Sequence, residues 1–283
     1  MKTEMKIILG IFLMIGLTIF AFNKKNIINQ KEEVSENYSI TNRWELPKIL
    51  EEVSGISWIG NEKIACIQDE DGSIFIYNLK TSNIEKQIDF ANHGDYEDIV
   101  TYKNDAFVLR SDGIIFMIKD YLQDPKVTQH ATFNDTERNV EGLALDEDHQ
   151  RLLLAVKDEK NKDKNFKGVY AFDIDTKKFN FDPVYKIELK DEIFKNIHSK
   201  KTHKIMRPSA ISFSSNKEKV LYLDGADPKL LVTDKKGKLS KLYKLNEDIF
   251  YQPEGITFSK NGRMFIANEG KKNKPNILEV VLN

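Results

Sequence analysis

The sequence predicts an all-β protein, a β-propeller of five blades, and three observations predict it. One short pattern recurs five times: EVSGISW (Glu52–Trp58), DYEDIVTY (Asp95–Tyr102), NVEGLALD (Asn139–Asp146), RPSAISFS (Arg207–Ser214) and QPEGITFS (Gln252–Ser259). Each occurrence is followed by further apolar runs of strand length, cut by turns rich in Gly, Asn and Asp. No segment of the body keeps a helical apolar period for more than a turn or two, Glu192–Ile197 being the best candidate.

The five occurrences align Ser54, Glu97, Glu141, Ser209 and Glu254 in one column, spaced 43, 44, 68 and 45 residues apart. Three of the four intervals have the length of a propeller blade, roughly 40–50 residues. Second strands are expected at Lys63–Ile67, Ala106–Leu109, Leu152–Val156, Val220–Leu223 and Met264–Ala267. Third strands follow the Asp71-Gly72 and Asp112-Gly113 turns and Gly168. Weaker fourth strands fall near Ile84–Phe90, Val127–Phe133, Tyr185–Leu189 and Leu239–Leu245. The last repeat leaves room for three strands only, so Tyr38–Leu46 is expected to complete the final blade. Such closure removes the open sheet edges on which chains aggregate. A six-bladed ring is the alternative, because the long third interval has room for an extra hairpin. We read that excess instead as two surface insertions, Asp158–Lys167 and Lys190–Met206, both Lys- and Asp-rich and without strand alternation.

The 283 residues include 43 Lys+Arg and 44 Asp+Glu, a net charge of −1. This balance argues against a nucleic-acid partner held by a bulk basic surface. The single cysteine, Cys66, excludes an internal disulfide and a cysteine-based zinc or iron–sulfur site. At the N-terminus Lys2 and Lys6 precede an apolar stretch, Ile7–Phe22, with Lys24 and Lys25 behind it. A basic start and a short apolar run mark an export signal. No clear small-x-small cleavage site follows, so residues 1–22 read either as a signal peptide or as an N-terminal membrane anchor. Residues 23–37 form a polar tether, and the folded domain is expected over 38–283. The expected location is therefore exported, periplasmic or membrane-anchored, with membrane contact only through the N-terminal segment.

The innermost strand of each propeller blade lines the central channel, so the aligned column converges on one ring. Three of its members, Glu97, Glu141 and Glu254, are carboxylates, and crowded like charges raise each other's pKa. A hard cation relieves that repulsion. Calcium takes carboxylate, hydroxyl and carbonyl oxygens at roughly 2.3–2.6 Å with loose geometry. Ser54 and Ser209 complete the ring with hydroxyls, and the absence of His and Cys from the column disfavours zinc and copper. At the ends of the second strands Arg110, Lys157, Asp224, Asn268 and Glu269 are candidate ligand contacts at a channel mouth, with Arg110 and Lys157 as anchors for a small anionic ligand. No GxSxG, HExxH, Walker or GxGxxG motif is present.

The repeated motifs carry a family resemblance. Leu50-Glu51-Glu52-Val53-Ser54-Gly55-Ile56, Gly94-Asp95-Tyr96-Glu97-Asp98-Ile99, Val140-Glu141-Gly142-Leu143, Arg207-Pro208-Ser209-Ala210 and Gln252-Pro253-Glu254-Gly255-Ile256, with the closing Ala267-Asn268-Glu269, resemble the SdiA-regulated (YjiK-like) family of exported bacterial propellers. The resemblance implies five blades, a bound calcium ion and an N-terminal membrane segment. By motif position it implies Glu97, Glu141 and Glu254 as the cation ligands. The expected function is a monomeric, non-catalytic calcium-binding module of the cell envelope, serving as sensor or ligand- or protein-interaction domain. The alternative is a calcium-dependent hydrolase of phosphate esters (phytase-like) or lactones, with a ring glutamate as base.

Overall fold

The computed structural model describes residues 37–133, 138–159, 165–271 and 273–283. The export or anchor segment and all of the tether but Asn37 lie outside the described residues. Strand β1 (Tyr38–Glu45) begins the described chain. The first blade holds β2 (Val53–Gly60), β3 (Lys63–Gln68), β4 (Ser73–Asn78) and β5 (Asn83–Asp89). The second holds β6 (Tyr96–Tyr102), β7 (Asp105–Arg110), β8 (Ile115–Lys119) and β9 (Lys126–His130). The third holds β10 (Arg138–Asp146), β11 (Arg151–Glu159), β12 (Phe166–Asp173) and β13 (Phe179–Glu188). The fourth holds β14 (Pro208–Phe213), β15 (Lys219–Asp224), β16 (Lys229–Asp234) and β17 (Leu239–Lys244). The fifth is built from both ends of the chain, in the order β1, β20 (Asn276–Leu282), β19 (Met264–Asn268), β18 (Pro253–Phe258). The chain divides into a body, Thr41–Val281, and a small unit whose described residues are 37–40 and 282–283, in which Asn283 N–H donates to the Asn37 carbonyl at 2.9 Å.

Within the body β2, β6, β10, β14 and β18 touch one another in cyclic order, so the first strands enclose the axis. The middle strands read as continuous apolar runs because both of their faces pack against other blades. Every residue of β4 is buried, for example. The fourth strands lie at the periphery and are polar on their wet face. In β9 only His130 escapes full exposure. This gradient explains why the fourth strands carry the weakest sequence signal. The expected turn glycines serve two different needs. Gly113 has φ of +85°, which favours glycine, whereas a Cβ on Gly72 would stand 2.4 Å from the Ala91 carbonyl oxygen.

Among its described residues the long third interval contains no extra hairpin. It is consumed by long third-blade strands and by the segment after β13. Asp158, Glu159, Phe166 and Lys167, expected in a surface insertion, extend β11 and β12. The second expected insertion contains short 3-10 turns at Glu192–Phe194 and Thr202–Lys204, and its Phe194 and Met206 are buried in the core.

One arginine ties the closing blade to the first. Arg263 donates from Nε and Nη2 to Glu279 Oε1 and Oε2, both at 2.9 Å, and from Nη1 to both Glu62 carboxylate oxygens at 2.8 Å. Its guanidinium lies over the rings of Trp58 and Phe265, which stack at 5.3 Å. Asn42 of β1 donates to the same Glu279 at 2.8 Å. Truncating one partner of a fully buried ion pair costs roughly 3–5 kcal/mol. Arg263 keeps 26% exposure of its side chain, so screening reduces the expected cost of Arg263→Ala to about 2–3 kcal/mol. Differential scanning calorimetry should show a Tm roughly 5–10 °C lower. A fall within 1 °C or so of error would mean the closure does not depend on this residue.

Candidate functional site: a carboxylate ring set in five bulges

All five first strands carry a β-bulge at the same place, and the bulged residue is in each case the column residue. In β2 Val53 pairs with Gln68 and Gly55 with Ile67, leaving Ser54 unpaired. Glu97 is skipped between Tyr96 and Asp98, and Glu141 between Val140 and Gly142. Ser209 is skipped between Pro208 and Ala210, and Glu254 between Pro253 and Gly255. A bulge inserts one residue against a continuous partner strand and re-aims its side chain. Five equivalent bulges therefore remove these residues from the alternation that buries their neighbours between blades.

Small residues follow the bulges in four blades: Gly55, Gly142, Ala210 and Gly255. Branched aliphatics come next: Ile56, Ile99, Leu143, Ile211 and Ile256, all buried. The two columns interlock between blades. A Cβ on Gly255 would lie 2.9 Å from Ile56 Cγ1, and one on Gly142 would lie 2.9 Å from Ile211 Cγ2. The second blade breaks the pattern with Asp98, which is 2% exposed. Its Oδ1 accepts from Ile99 N–H and its Oδ2 from Leu143 N–H of the third blade, both at 2.8 Å. Burial pushes the Asp98 carboxyl well above the usual range, and the two N–H donors oppose that shift.

Glu97, Glu141 and Glu254 act on one another, and Lys157 acts on all three. Lys157, itself skipped where Val156 and Asp158 pair with β10, forms an ion pair with Glu141. Glu141 Oε1 accepts from Asn139 Nδ2 at 2.6 Å. Burial above all, then the charges of Glu141 and Asp95, pushes Glu97 up to about 10, against the pull of Lys157. Burial likewise pushes Glu254 up to about 8, with Lys157 opposing and Glu141 and Glu269 adding to the rise. Glu141 is also raised by burial, with Lys157 the main opposing charge. Burial pulls Lys157 down, but the charges of Glu254, Glu141 and Glu97 outweigh it and hold the ammonium above its usual value. Fully ionised, three glutamates and one lysine carry two uncompensated negative charges. The raised carboxyls show how the isolated chain relieves them, by keeping protons.

The hydroxyl members differ. Ser209 Oγ donates to the Pro253 carbonyl at 2.9 Å, a link from the fourth blade to the fifth. Ser54 Oγ is buried with no hydrogen-bond partner. Glu254 Oε1 lies against Gly225, where a Cβ would stand 2.8 Å from it. The donor set of carboxylates and an unsatisfied hydroxyl suits a hard divalent ion such as calcium. Among the described residues no three carboxylates stand close enough together to ligate an ion as they are. Glu97, Glu141, Glu254 and Ser54 are the residues whose oxygens would hold one, beside the Lys157 that pairs with Glu141.

The candidate contacts at the second-strand ends divide into two sets. Lys157 belongs to the ring, and the half-buried Glu269 is near enough to raise Glu254. Arg110 is held by Asp112 through Nε at 3.1 Å and Nη2 at 2.8 Å. Asp224 is fully buried on Lys229 Nζ at 2.8 Å and on the N–H groups of Arg207, Ala226 and Asp227. Asn268 is fully buried and donates to Asn276 Oδ1 at 2.9 Å. These last three side chains are committed to local turns and strand pairs. Reasoning from sequence missed Asp98, Asn139 and Gly225. The break in the small-residue column at Asp98 was the one signal that pointed to any of them.

Fold and ring together define the class: a five-bladed β-propeller with a charged cluster at one end of its channel. The SdiA-regulated family model matches residues 30–269, and the chain belongs to that family. Similar solved structures share the fold alone. Glutaminyl cyclase from Myxococcus xanthus has 11% identity and a TM-score of 0.57, with 87% of this chain and 96% of that one covered. The PQQ-bound aldose sugar dehydrogenase from Streptomyces coelicolor has 11% identity and a TM-score of 0.53, with 87% and 98% covered. A streptogramin B lyase has 13% identity and a TM-score of 0.50, with 87% and 98% covered. No curated protein matches the chain in sequence.

Proposed function

We propose that this protein is a calcium-binding propeller of the cell envelope, exported or anchored through residues 1–22, that works as a monomeric sensor or interaction module. The observation that carries the reading is the charge of the ring. Its three glutamates and Lys157 leave two negative charges, which one divalent ion neutralises. Calcium binds carboxylates in their ionised form, so it must displace the protons that Glu97 and Glu254 retain at neutral pH. Binding is therefore expected to release roughly one to two protons at pH 7 and to tighten as pH rises toward 9. Isothermal titration of calcium into metal-stripped protein, repeated in buffers of different ionisation enthalpy, counts those protons. Absence of binding heat and of any Tm change at millimolar calcium would refute the reading.

A hydrolase reading is supported by one feature, a Glu97 that keeps its proton at neutral pH and so has the state of a general acid. Calcium-dependent turnover of a phosphate ester or a lactone, lost in Glu97→Gln, would favour it over the non-catalytic module.

A further inference from the structure

The segment between β13 and β14 crosses from the outer strand of the third blade to the inner strand of the fourth, over the end of the body that carries the ring. Apolar residues hold it down. Phe194 and Met206 are buried in the core, and Ile193, Ile197 and Ile205 pack against the same cluster. Between these anchors the backbone is turned rather than slack. Asp191 Oδ1 accepts from Ile193 N–H at 2.9 Å, and Lys204 N–H donates to the Lys201 carbonyl at 2.9 Å. The outer side of the segment is basic. No Asp or Glu occurs from Ile193 to Lys217. Lys195, Lys200, Lys201 and Lys204 are exposed, and none of them forms an ion pair among the described residues. Lys244 of β17 donates to the Asn196 carbonyl at 3.1 Å, which brings the outer strand of the fourth blade alongside. Arg207, at the end of the segment, is spent on Asp158.

We propose that this lysine face docks on the anionic headgroups of a lipid bilayer. The proposal rests on the reading of residues 1–22 as a membrane anchor. Fully extended, residues 23–37 reach roughly 50 Å. An anchored body stays within that distance of the headgroups, so lipid phosphate is the polyanion at the highest effective concentration. The type of side chain selects the same partner. Recognition of one small phosphate or carboxylate favours the planar fork of arginine, and the one arginine here already has its carboxylate. Lysine is a point charge on a flexible stem, and clustered lysines add up at a charged surface, each raising partition roughly fivefold. Glu70 and Asp95 are exposed at the same end on the first two blades and would be repelled, which confines contact to the side of the fourth blade. Docking there turns the ring end of the channel, not the opposite mouth, toward the bilayer.

Amine acetylation read by mass spectrometry tests the face. The full chain is mixed, in EDTA at about 0.1 M NaCl, with vesicles of POPC alone or of POPC and POPG in equal parts. Lys195, Lys200, Lys201 and Lys204 are expected to react at least about threefold more slowly with the POPG vesicles than with POPC alone. Lys103 and Lys260, exposed in turns at the opposite end, are expected to react equally with both. The protection should vanish at about 1 M NaCl, where the Debye length is roughly 3 Å. It should also vanish at Lys195 and Lys204 in the double variant Lys200→Gln/Lys201→Gln, whose circular dichroism spectrum should match that of the parent. Equal reactivity in the two vesicles, equal protection of Lys103 and Lys260, or protection that survives the double variant would each overturn the proposal. Stronger protection of the four lysines by duplex DNA at the same phosphate concentration would overturn the lipid partner in favour of nucleic acid. Flotation with POPC vesicles reports separately on residues 1–22. Protein that floats without lysine protection refutes the docking face alone, and protein that fails to float with POPC yet is protected by POPG refutes the anchor alone.

Discussion

Stripped of metal, the body is expected to lose thermal stability steadily between about pH 5 and pH 9, and added calcium is expected to restore it most at the alkaline end. The sign follows from the ring. Glu97 and Glu254 have folded-state values of about 10 and about 8, against an ordinary carboxyl value of 4.5. Above 4.5 the unfolded chain gives up these protons while the folded chain keeps them. Folding then takes up protons, so raising the pH works against the folded state. Stability is greatest below 4.5 and falls until the pH passes 8 for Glu254 and 10 for Glu97. Asp98 adds to the fall in the same direction. For a domain of this size each kcal/mol moves Tm by roughly 2–4 °C, so a decline of several degrees or more across the window is expected. On the proposed reading calcium should reverse the trend, because it would bind the ionised ring. Glu97→Gln removes one acid without changing shape, so it should flatten the slope and raise the metal-free Tm at pH 8, yet weaken calcium binding. Calorimetric scans from pH 5 to 9.5 in EDTA decide the matter. A flat profile in the parent protein would show that the ring is not a crowded acid cluster.

Asp98→Ala is expected to be the most damaging single truncation near the axis. The Asp98 carboxyl accepts from both Ile99 N–H and Leu143 N–H, and it joins the second blade to the third. Its removal takes a buried acceptor from two donors, a loss of roughly 1–3 kcal/mol at each. A total near 3–5 kcal/mol is expected, enough to lower Tm by about 10–15 °C. Asp98→Asn keeps one acceptor oxygen and turns an NH2 toward the other donor, so it should recover about half of the loss. Equal losses for Ala and Asn would still support the latch. A loss under about 1 kcal/mol for Ala would show that water replaces the carboxyl without cost.

Most of the architecture was legible because propeller strands announce themselves one at a time. A run such as Ile74–Tyr77 or Met264–Ala267 is apolar throughout because each lies between neighbouring blades, and that burial is written into every residue. The closing role of β1 was legible by counting, since the last repeat lacked a fourth strand. The strand character of Asp158 and Lys167 was not. Both look like loop residues in sequence, but their charges are satisfied by each other at 3.4 Å, and Arg207 gives Asp158 a second partner from beside the neighbouring blade. Polar residues in a strand are recognisable only once their partners are known.

The site divides along the same line. Alignment of the repeats identified Ser54, Glu97, Glu141, Ser209 and Glu254 as one column, because a repeated local pattern needs no knowledge of what lies across the axis. That all five sit in bulges, that Lys157 stands among the glutamates as their counter-ion, and that Asp224 and Asn268 are spent on buried turns were decided only by tertiary structure. Position along a strand is a local property and is encoded locally. Which charges share a low-dielectric space depends on how five sheets meet around an axis, and residues more than a hundred positions apart, such as Glu97 and Glu254, acquire their chemistry only there.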